Sequence, residues 1–305
     1  MISASMTVCD RERTASLLDF RELVDAIARA AVELEAGVIC SPERMVVPLG
    51  EGGALLSMPA TAPDIAIHKL VNVQPRNRLR HLPTIHGVVT VCEADTGRIV
   101  CLLDGPEVTG RRTAAATMLA IRTFSYEAPK QVLLFGTGAQ ASFHVQAINA
   151  LYPHCKVWVR GRDQRSSEEF CVSRHGLHEH LEPCGASLPE VDAVIAVTTS
   201  TQPVYDEVAC AGRLVIGVGA FKPEMAEIGA VTLGGSDIYA DDPAGARHEA
   251  GDLLRAGVDW ARVKSLGAAL RGPVDKSRPT VFKSVGTAAW DLAAARVALR
   301  SLGER

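Results

Sequence analysis

Residues 132–148, VLLFGTGAQASFHVQAI, place a glycine-rich turn directly after an apolar run and directly before an amphipathic one. The turn carries Gly136, Gly138 and Ala141 at the spacing G-x-G-x-x-A. In this pattern the first glycine permits a tight turn, the second lets the backbone approach a pyrophosphate, and the small third residue allows close helix packing. Backbone N–H groups at the start of the following helix attract the same anion. The place of the pattern between a strand and a helix predicts a dinucleotide-binding turn.

The end of the next strand indicates which dinucleotide is bound. In proteins that use NAD, a carboxylate about 20 residues beyond the glycines binds the ribose 2'-hydroxyl. The stretch KVWVRGRDQR carries Arg160 and Arg162 there instead. Two guanidinium groups suit a 2'-phosphate, which predicts a preference for NADPH. Asp163 follows directly and keeps NADH open, and a solvated basic loop is the alternative without a cofactor.

Strands and helices alternate around this turn. The runs RRTAAATMLAIRTF and AQASFHVQAINALY have helical spacing, whereas QVLLFG, KVWVRG, DAVIAVTT, RLVIGVG and DIYADD are short apolar runs. Continuous apolar runs of this length are typical of parallel strands buried on both faces. We therefore predict an α/β protein whose NAD(P)-binding domain, residues 113–283, is a doubly wound sheet of the Rossmann type.

The first part of the chain has a different pattern. A helix, FRELVDAIARAAVELEAG, is predicted from about residue 20 to Gly37. After it, MVVPL, ALLSMPA, IAIHKLVNV, HGVVTVCEA and GRIVCLLDG are β-branched runs separated by turn residues. They predict a largely antiparallel sheet, with a hairpin turn at Asp95, Thr96 and Gly97. The segment TVFKSVGTAAWDLAAARVALRSL contains a helix that can return here, so we predict a smaller α+β domain from residues 1–112 and 284–305.

Composition and charge exclude several partners. The chain has 305 residues, 47% hydrophobic and 22% charged, which suffices for two domains with buried cores. Its net charge of -3 lacks the basic excess with which proteins bind nucleic acid or anionic lipid, so neither is expected. Because no apolar signal segment precedes the first charged residues and no run of about 18 apolar residues occurs, we expect a cytoplasmic location.

The cysteines and histidines carry no clear metal pattern. Eight cysteines are scattered without a CxxC pair, which favours reduced thiols over disulfides or a zinc site. His175, His178 and His180 lie close together in RHGLHEHLE, but no cysteine or carboxylate accompanies them at a metal-binding spacing. We interpret them as solvated surface residues and expect no metal.

Five motifs together resemble the ornithine cyclodeaminase and mu-crystallin family over nearly the whole chain. They are FGTGAQA, TGRRTAA, GVGAFKPEMAEI, EAGDL and TVFKSVGTAAWDLAAARV. The resemblance implies a Rossmann domain joined to a smaller domain that forms the substrate site and the interface of a homodimer. Members of the family include cyclodeaminases, amino-acid dehydrogenases and ketimine reductases.

Three cations are similar to the family's carboxylate-binding set. They are Arg44 in SPERMVV, Lys69 in IHKLVN and Arg112 in TGRRTAA. An α-imino acid presents a carboxylate that a guanidinium can hold through two hydrogen bonds, with a lysine as an added point charge. Taken singly, each cation has an ordinary alternative: a loop charge, a charge that protects a strand edge, and a residue at a helix start.

The resemblance also implies a set of cofactor-lining positions. These are Thr84, Arg112, Thr113, Gly136, Gly138, Ala139, Gln140, Arg160, Arg162, Thr198, Thr199, Val218, Ser284 and Gly286, with Val285 between the last two. His86 and Asp104 could serve in acid-base chemistry, but a histidine near a turn and an aspartate at a hairpin end are more often structural.

One position departs from the cyclodeaminase pattern. In cyclodeaminases the resemblance places a catalytic aspartate before a proline, whereas this chain reads GAFKPE and has Phe221 there. A phenylalanine cannot carry the proton transfers that ammonia elimination needs. Of the nearby carboxylates Glu224 and Glu227, the second is interpreted as a helix-start residue.

Hydride transfer to a protonated cyclic imine needs only orientation, charge complementarity and the chemistry of the nicotinamide itself, and the sequence keeps the residues for the first two. We therefore expect an NADPH-preferring reductase of cyclic α-imino acids that forms proline and pipecolate, with Lys69 as the group that hydrogen-bonds or protonates the substrate. The alternatives are ornithine cyclodeaminase, an open-chain amino-acid or opine-like dehydrogenase, and an NADPH-dependent ligand-binding protein of the crystallin type. Complete retention of the three cations argues against the last of these.

Overall fold

The computed structural model describes residues 6–303, which form two compact units. Unit 1 contains the residues up to Thr113 together with those from Thr287 onward, and unit 2 is Ala114–Gly286. The boundaries proposed from the sequence, 112/113 and 283/284, lie close to these. The start of the N-terminal segment, in which we expect no secretory signal, lies outside the described residues. Within residues 6–303, each helix is too short or too polar to cross a lipid bilayer.

Short strands and helices make up both units. The strands are β1 (Thr7–Val8), β2 (Met45–Leu49), β3 (Gly53–Thr61), β4 (Ile65–Val73), β5 (Ile85–Glu93), β6 (Ile99–Asp104), β7 (Gln131–Phe135), β8 (Lys156–Arg160), β9 (Leu181–Pro183), β10 (Ala193–Ala196), β11 (Leu214–Gly217), β12 (Asp237–Ala240), β13 (Lys264–Ser265) and β14 (Thr280–Lys283). The helices are α1 (Arg11–Leu17), α2 (Phe20–Glu35), α3 (Gly105–Phe124), α4 (Ala139–Leu151), α5 (Gln164–Arg174), α6 (Ala230–Gly234), α7 (Pro243–Glu249), α8 (Gly251–Ala256), α9 (Leu266–Arg271) and α10 (Ala288–Leu302).

Unit 1 is built on a six-stranded sheet in the order β1-β6-β5-β4-β3-β2. Strands β2 to β6 pair antiparallel, as the sequence predicts, and Gly97 lies in the turn between β5 and β6 with a φ of 71°. The short strand β1, which the sequence analysis does not anticipate, adds to β6 in parallel. Because β4 lies inside the sheet, a polar side chain on its covered face is removed from water.

Helix α10 packs against β3 and β4 of this sheet, and α2 packs against α10. Asp19 begins α2 by accepting the N–H groups of Arg21 and Glu22, and the helix buries an apolar stripe that includes Leu23, Val24 and Ile27. In α10, alanines and Trp290 are buried along its length, as expected for a helix that returns to the first domain. This packing presents the start of α10 to the middle of β4.

Helix α3 begins earlier than the sequence predicts. The expected helix begins near Arg111, but α3 begins at Gly105. Asp104, interpreted as a hairpin-end residue, accepts the N–H of Glu107 at 2.7 Å and so satisfies a donor of the first turn. The prediction of the helix start was wrong because the strand-like run before it ends directly at this capping residue. Arg112 consequently lies inside a helix rather than at its start.

Unit 2 contains an eight-stranded, entirely parallel sheet in the order β13-β12-β14-β11-β10-β7-β8-β9. The predicted α/β fold with a doubly wound sheet is confirmed, and β9, β13 and β14 are additions to the predicted strands. The chain runs outward from β7 through β8 to β9 and then returns to β10 on the other side of β7. This reversal leaves a crevice at the carboxyl ends of β7 and β10, which is where doubly wound sheets bind their ligands.

Candidate functional sites

The glycine-rich turn follows β7 and leads into α4. Gly136 has a φ of 117°, and its N–H donates to the Arg160 carbonyl at 2.9 Å. A β-carbon at Gly136 would lie only 2.9 Å from the Val197 carbonyl oxygen, so the tight turn requires glycine. Ala141 is fully buried in α4, as expected for the third position of the pattern. The turn therefore has the local geometry that the sequence predicts.

The start of α4 fits a bound anion. Gly138 is the N-cap, no side chain among residues 6–303 caps the first N–H groups of the helix, and a β-carbon built on Gly138 would meet no atom of those residues within 4 Å. This open space next to exposed N–H donors is where a pyrophosphate binds in such turns. The side-chain oxygen of Gln140 is buried without a hydrogen-bond partner in the described residues. A buried acceptor without a partner costs free energy, so it too is suited to a polar ligand.

Buried His144 fixes the first turn of the same helix. Burial lowers the pKa of His144 to about 4, so its ring is neutral at physiological pH. The Nδ1 atom then donates to the Gln140 carbonyl at 2.7 Å, and Nε2 accepts from the Thr117 hydroxyl at 2.9 Å. This arrangement holds the helix start that carries Ala139 and Gln140.

The residues at and after the end of β8 bear on the choice between NADPH and NADH. Arg160 ends the strand, with one guanidinium nitrogen 3.5 Å from the Ala186 carbonyl, and Arg162 is exposed in the loop that follows. Asp163 begins α5, where its carboxylate accepts the Ser166 N–H at 2.7 Å. That hydrogen bond lowers the pKa of Asp163 and engages one oxygen of its carboxylate. Asp163 therefore has a structural role as the N-cap of α5.

Glu227 fixes the loops that follow β10 and β11. Its carboxylate is fully buried and accepts the N–H of Thr198, the N–H of Gly219 at 2.6 Å and the N–H of Ala220 at 3.1 Å. A β-carbon at Gly219 would lie 1.9 Å from the Thr198 carbonyl oxygen, so the two loops touch through their backbones. Thr198, Thr199 and Val218, predicted to line the cofactor, lie in or next to these loops.

Further buried charges support Glu227. Asp252 accepts the N–H of Glu227 and, at 3.2 Å, that of Ile228, and its other oxygen lies 2.5 Å from the Lys283 ammonium. Burial raises the pKa of Glu227, while Lys283 and the Thr198 N–H act in the opposite direction. The prediction that Glu227 begins a helix was wrong, because α6 begins only at Ala230. Glu227 instead joins two loops by hydrogen bonds to their backbones.

Asp241 fixes the segment after β14 by accepting hydrogen bonds from it, as Glu227 does for the loops after β10 and β11. It accepts hydrogen bonds from the Ser284 hydroxyl at 2.7 Å, the Val285 N–H at 3.0 Å and the Gly286 N–H at 2.9 Å. Gly286 has a φ of 80°, a conformation that favours glycine. The predicted return segment is thus held by a buried carboxylate.

In unit 1, the predicted cations Lys69 and Arg112 meet at one carboxylate. Lys69 lies on β4 and is 2% exposed, so it is not a strand-edge charge. Its ammonium lies 2.6 Å from one oxygen of Asp291, and Nε of Arg112 lies 3.1 Å from the other. Asp291 is in the first turn of α10 and is fully buried. Lys69, Arg112 and Asp291 together form the unit 1 cluster.

Burial and the neighbouring charges bring the pKa of Lys69 close to neutral pH. Burial lowers the pKa of Lys69 to about 8; Asp291 raises it, and Arg112 and Arg44 lower it further. Arg44, the third predicted cation, precedes β2 and is near enough to act on Lys69. A lysine with such a pKa holds a proton at neutral pH and can release it, as acid-base chemistry requires.

The remaining predicted positions lie in several different elements. Thr84 lies before β5, where its carbonyl accepts the Gln74 N–H at 2.7 Å, and Thr113 is buried in α3. His86 pairs across the sheet with Asn72. Phe221 is half-buried in the loop after β11.

The histidine cluster is only partly exposed. His178 is buried, with hydrogen bonds to the Asn149 side chain and the Cys155 carbonyl, so its interpretation as a solvated residue was wrong. Across residues 6–303, no group of His, Cys, Asp or Glu side chains is arranged to hold a metal ion.

Sequence reasoning missed four buried charged residues, two of which contact predicted positions directly and two of which support Glu227. They are Asp241, Asp252, Lys283 and Asp291. The signals were weak: Asp252 lies in the quoted EAGDL motif, and Asp291 lies in the apolar run TAAWDLAAARV, where a carboxylate is out of place unless it has a partner.

A parallel doubly wound sheet with this glycine turn defines a dinucleotide-binding protein of the Rossmann class. Residues 5–304 match the model of the ornithine cyclodeaminase/mu-crystallin family, and the chain belongs to that family.

Two curated relatives are similar over nearly the whole chain. Delta(1)-pyrroline-2-carboxylate reductase 1 of Burkholderia multivorans is 50% identical over 300 residues, which cover 98% of this chain and 96% of the relative. The Delta(1)-pyrroline-2-carboxylate/Delta(1)-piperideine-2-carboxylate reductase of Azospirillum brasilense has the same identity and coverage. The solved structure of Thermococcus litoralis Delta(1)-pyrroline-2-carboxylate reductase with NADH and L-proline has a TM-score of 0.87, 22% identity and 97% coverage of both chains. This last likeness shows the fold.

Proposed function

We propose that this protein is an NAD(P)H-dependent ketimine reductase, which reduces Δ1-pyrroline-2-carboxylate to L-proline and Δ1-piperideine-2-carboxylate to L-pipecolate. The observation that carries the proposal is the buried unit 1 cluster, in which Lys69 and Arg112 share one carboxylate in a chain half identical to reductases of this class. The substrates are small carboxylates with a neighbouring C=N bond, which two fixed cations can bind and orient.

Each part of the chain has a role in this reaction. Arg112 and Arg44 bind the substrate carboxylate, and Lys69 holds a proton for the imine nitrogen at its Nζ atom. The turn at Gly136 and Gly138 and the start of α4 hold the pyrophosphate of the dinucleotide. The nicotinamide, when bound, supplies the hydride that reduces the imine carbon.

The residue at position 221 favours reduction over cyclodeamination. Phe221 has no proton to give or take, so it cannot replace the aspartate that the family resemblance implies for ammonia elimination. Its ring is apolar and carries no group that could activate water or an amine for addition.

We further propose that NADPH is preferred, with the 2'-phosphate bound by Arg160 and Arg162, because these two guanidinium groups stand at the end of β8 where NAD-dependent proteins carry a carboxylate. The further cofactor-lining positions in this proposal are Thr84, Thr113, Thr198, Thr199, Val218 and the Ser284–Gly286 segment. We also propose that the protein forms a homodimer and is located in the cytoplasm.

The test is a pair of assays on the purified protein. NADPH oxidation is followed with each of the two cyclic imines, and ammonia release is followed with L-ornithine and NAD. Imine-dependent oxidation without ammonia release is the expected result. Ammonia release from ornithine would refute the role given to Phe221. Activity only with an oxo acid and added amine would favour an open-chain dehydrogenase, and NADPH binding without turnover would favour a ligand-binding protein.

A further inference from the structure

Asp291 is the anion of the unit 1 cluster, and no role had been assigned to it from the sequence. Within residues 6–303 it is the carboxylate that forms ion pairs with Lys69 and with Arg112. A carboxylate in the middle of a site that binds carboxylates weakens the attraction for substrate, so its presence needs a physical reason.

The first reason lies in how Asp291 contacts Arg112. It accepts from Nε, on the inner side of the guanidinium, at 3.1 Å. In the described part of the chain, no protein acceptor takes a hydrogen bond from the two terminal amino groups of Arg112. These two amino groups are the pair with which an arginine binds a carboxylate through parallel hydrogen bonds. Asp291 therefore fixes the plane of the guanidinium and leaves its binding edge available.

The second reason lies in the charge around Lys69. The charged groups that face its ammonium are Asp291 from α10, Arg112 from α3 and Arg44 from the segment before β2. Two of these are positive, and the site is shielded from water, so both repulsion and burial act against a protonated lysine. Asp291, at 2.6 Å, is the group among them that favours the proton.

Asp291 lies where a helix favours a negative charge. It lies in the first turn of α10, whose fifteen residues begin after the Thr287 N-cap, and anions are stabilised at this end of a helix. Its two oxygens each accept from a cation. The carboxylate of Asp291 is thus held in place by a cation at each oxygen.

We propose that Asp291 is a positioning residue that keeps Lys69 protonated and turns the binding edge of Arg112 toward the substrate carboxylate, and so sets the upper pH limit of imine reduction. This role rests on the proposed function. It makes Asp291 necessary for Lys69 to act as an acid near neutral pH, although Asp291 itself touches no substrate.

The experiment compares kcat/KM for Δ1-pyrroline-2-carboxylate against pH in the wild type and in Asp291→Asn. The wild type is expected to lose activity as the pH rises through about 8, where Lys69 loses its proton. In Asp291→Asn this decline is expected at least one unit lower, so that kcat/KM at pH 8 falls at least ~5-fold more than at pH 6. An unchanged upper limit in Asp291→Asn would overturn the proposal.

The matched control is Asp64→Asn. Asp64 also pairs with a cation of α10, since both of its oxygens contact the Arg296 guanidinium, but it lies outside the cluster. Its variant loses an ion pair of the same helix and is expected to keep the wild-type pH profile. A downward shift in both variants would mean that general loosening of α10, not Asp291, moves the limit.

Asp291→Glu covers the case in which Asp291→Asn does not fold. It keeps the negative charge and moves it by one methylene, so we expect the wild-type pH limit with a raised KM for the imine. A limit shifted downward in Asp291→Glu would contradict the proposal.

L-proline binding, measured by calorimetry across the same pH range, gives a readout without turnover. We expect affinity in Asp291→Asn to decline at lower pH than in the wild type, and parallel declines would contradict the proposal. If the wild type itself reduces no imine, the proposed function fails, whereas an active wild type with an unshifted Asp291→Asn variant refutes only the role of Asp291.

Discussion

Gly138→Ala should abolish much of the dinucleotide affinity while leaving the fold intact. Gly138 has φ -88° and ψ -169°, which alanine adopts without strain, and a β-carbon there meets no atom of the described residues within 4 Å. The same carbon would occupy the space through which the backbone approaches a pyrophosphate. The substitution therefore separates folding from cofactor binding.

The substitution is expected to change the free energy of unfolding much less than the free energy of NADPH binding. Replacing glycine by alanine stabilises a protein by about 0.4–1 kcal/mol through the unfolded chain. Alanine is a poorer N-cap than glycine, which offsets much of this, so the net change should stay within about 0.5 kcal/mol. Crowding a close contact by one methyl group costs about 1–3 kcal/mol. Against NADPH this corresponds to a loss of affinity between roughly 5-fold and 150-fold.

The assays are thermal denaturation of the protein without cofactor and fluorescence titration with NADPH. Gly176→Ala is the matched control, because a β-carbon at Gly176 also meets nothing within 4 Å in the described part of the chain and the residue lies outside the glycine turn. The control should bind NADPH as the wild type does. Wild-type affinity in Gly138→Ala would refute the placement of the pyrophosphate at the start of α4.

Two further substitutions test unit 2. Glu227→Gln leaves one acceptor oxygen for the three N–H groups that bond to the carboxylate, so at least one buried N–H loses its partner. Chemical denaturation should show a loss of about 1–3 kcal/mol in the free energy of unfolding. The control is Glu224→Gln at an exposed position, which should change the free energy of unfolding by less than about 0.5 kcal/mol. Arg162→Ala should raise the KM for NADPH at least ~10-fold more than that for NADH, because only NADPH carries the 2'-phosphate, and equal effects on both would contradict the assignment.

Most strands of both sheets and the glycine turn could be predicted because their signals are local, whereas the short strands β1, β9 and β13 and the strand β14 were not anticipated. Apolar runs of four or five residues and the G-x-G-x-x-A spacing each depend on residues that are close in the sequence, and the hairpin at Gly97 depends on three turn residues. The start of α3 was missed although its capping signal is also local, because Asp104 ends a strand-like run and begins a helix at once.

The partners of the predicted site residues could not be predicted in this way. Lys69 and Asp291 are separated by 222 positions, and Glu227 and Asp252 by 25. Neither separation along the sequence corresponds to a known motif, because each pair forms only when the fold brings two distant segments together. Family resemblance named the cations Lys69 and Arg112 but could not show that they share one buried carboxylate.

These buried carboxylates have one physical function in both units. A site for an anionic ligand needs N–H groups or cations that face the ligand, and such groups repel one another or lie in loops that have no reason to stay ordered. A buried carboxylate counters both effects. Asp291 accepts from Lys69 and from Nε of Arg112 and leaves the terminal amino groups of Arg112 available, whereas Glu227 accepts the N–H groups of Thr198 and Gly219 themselves and so orders the two loops. The charge of such a carboxylate lowers the attraction for substrate but fixes the donors before the ligand arrives, so less entropy is lost on binding. The chain therefore combines a modest net charge at each site with donors that are already in place, which is the requirement for orienting a small imine for hydride transfer.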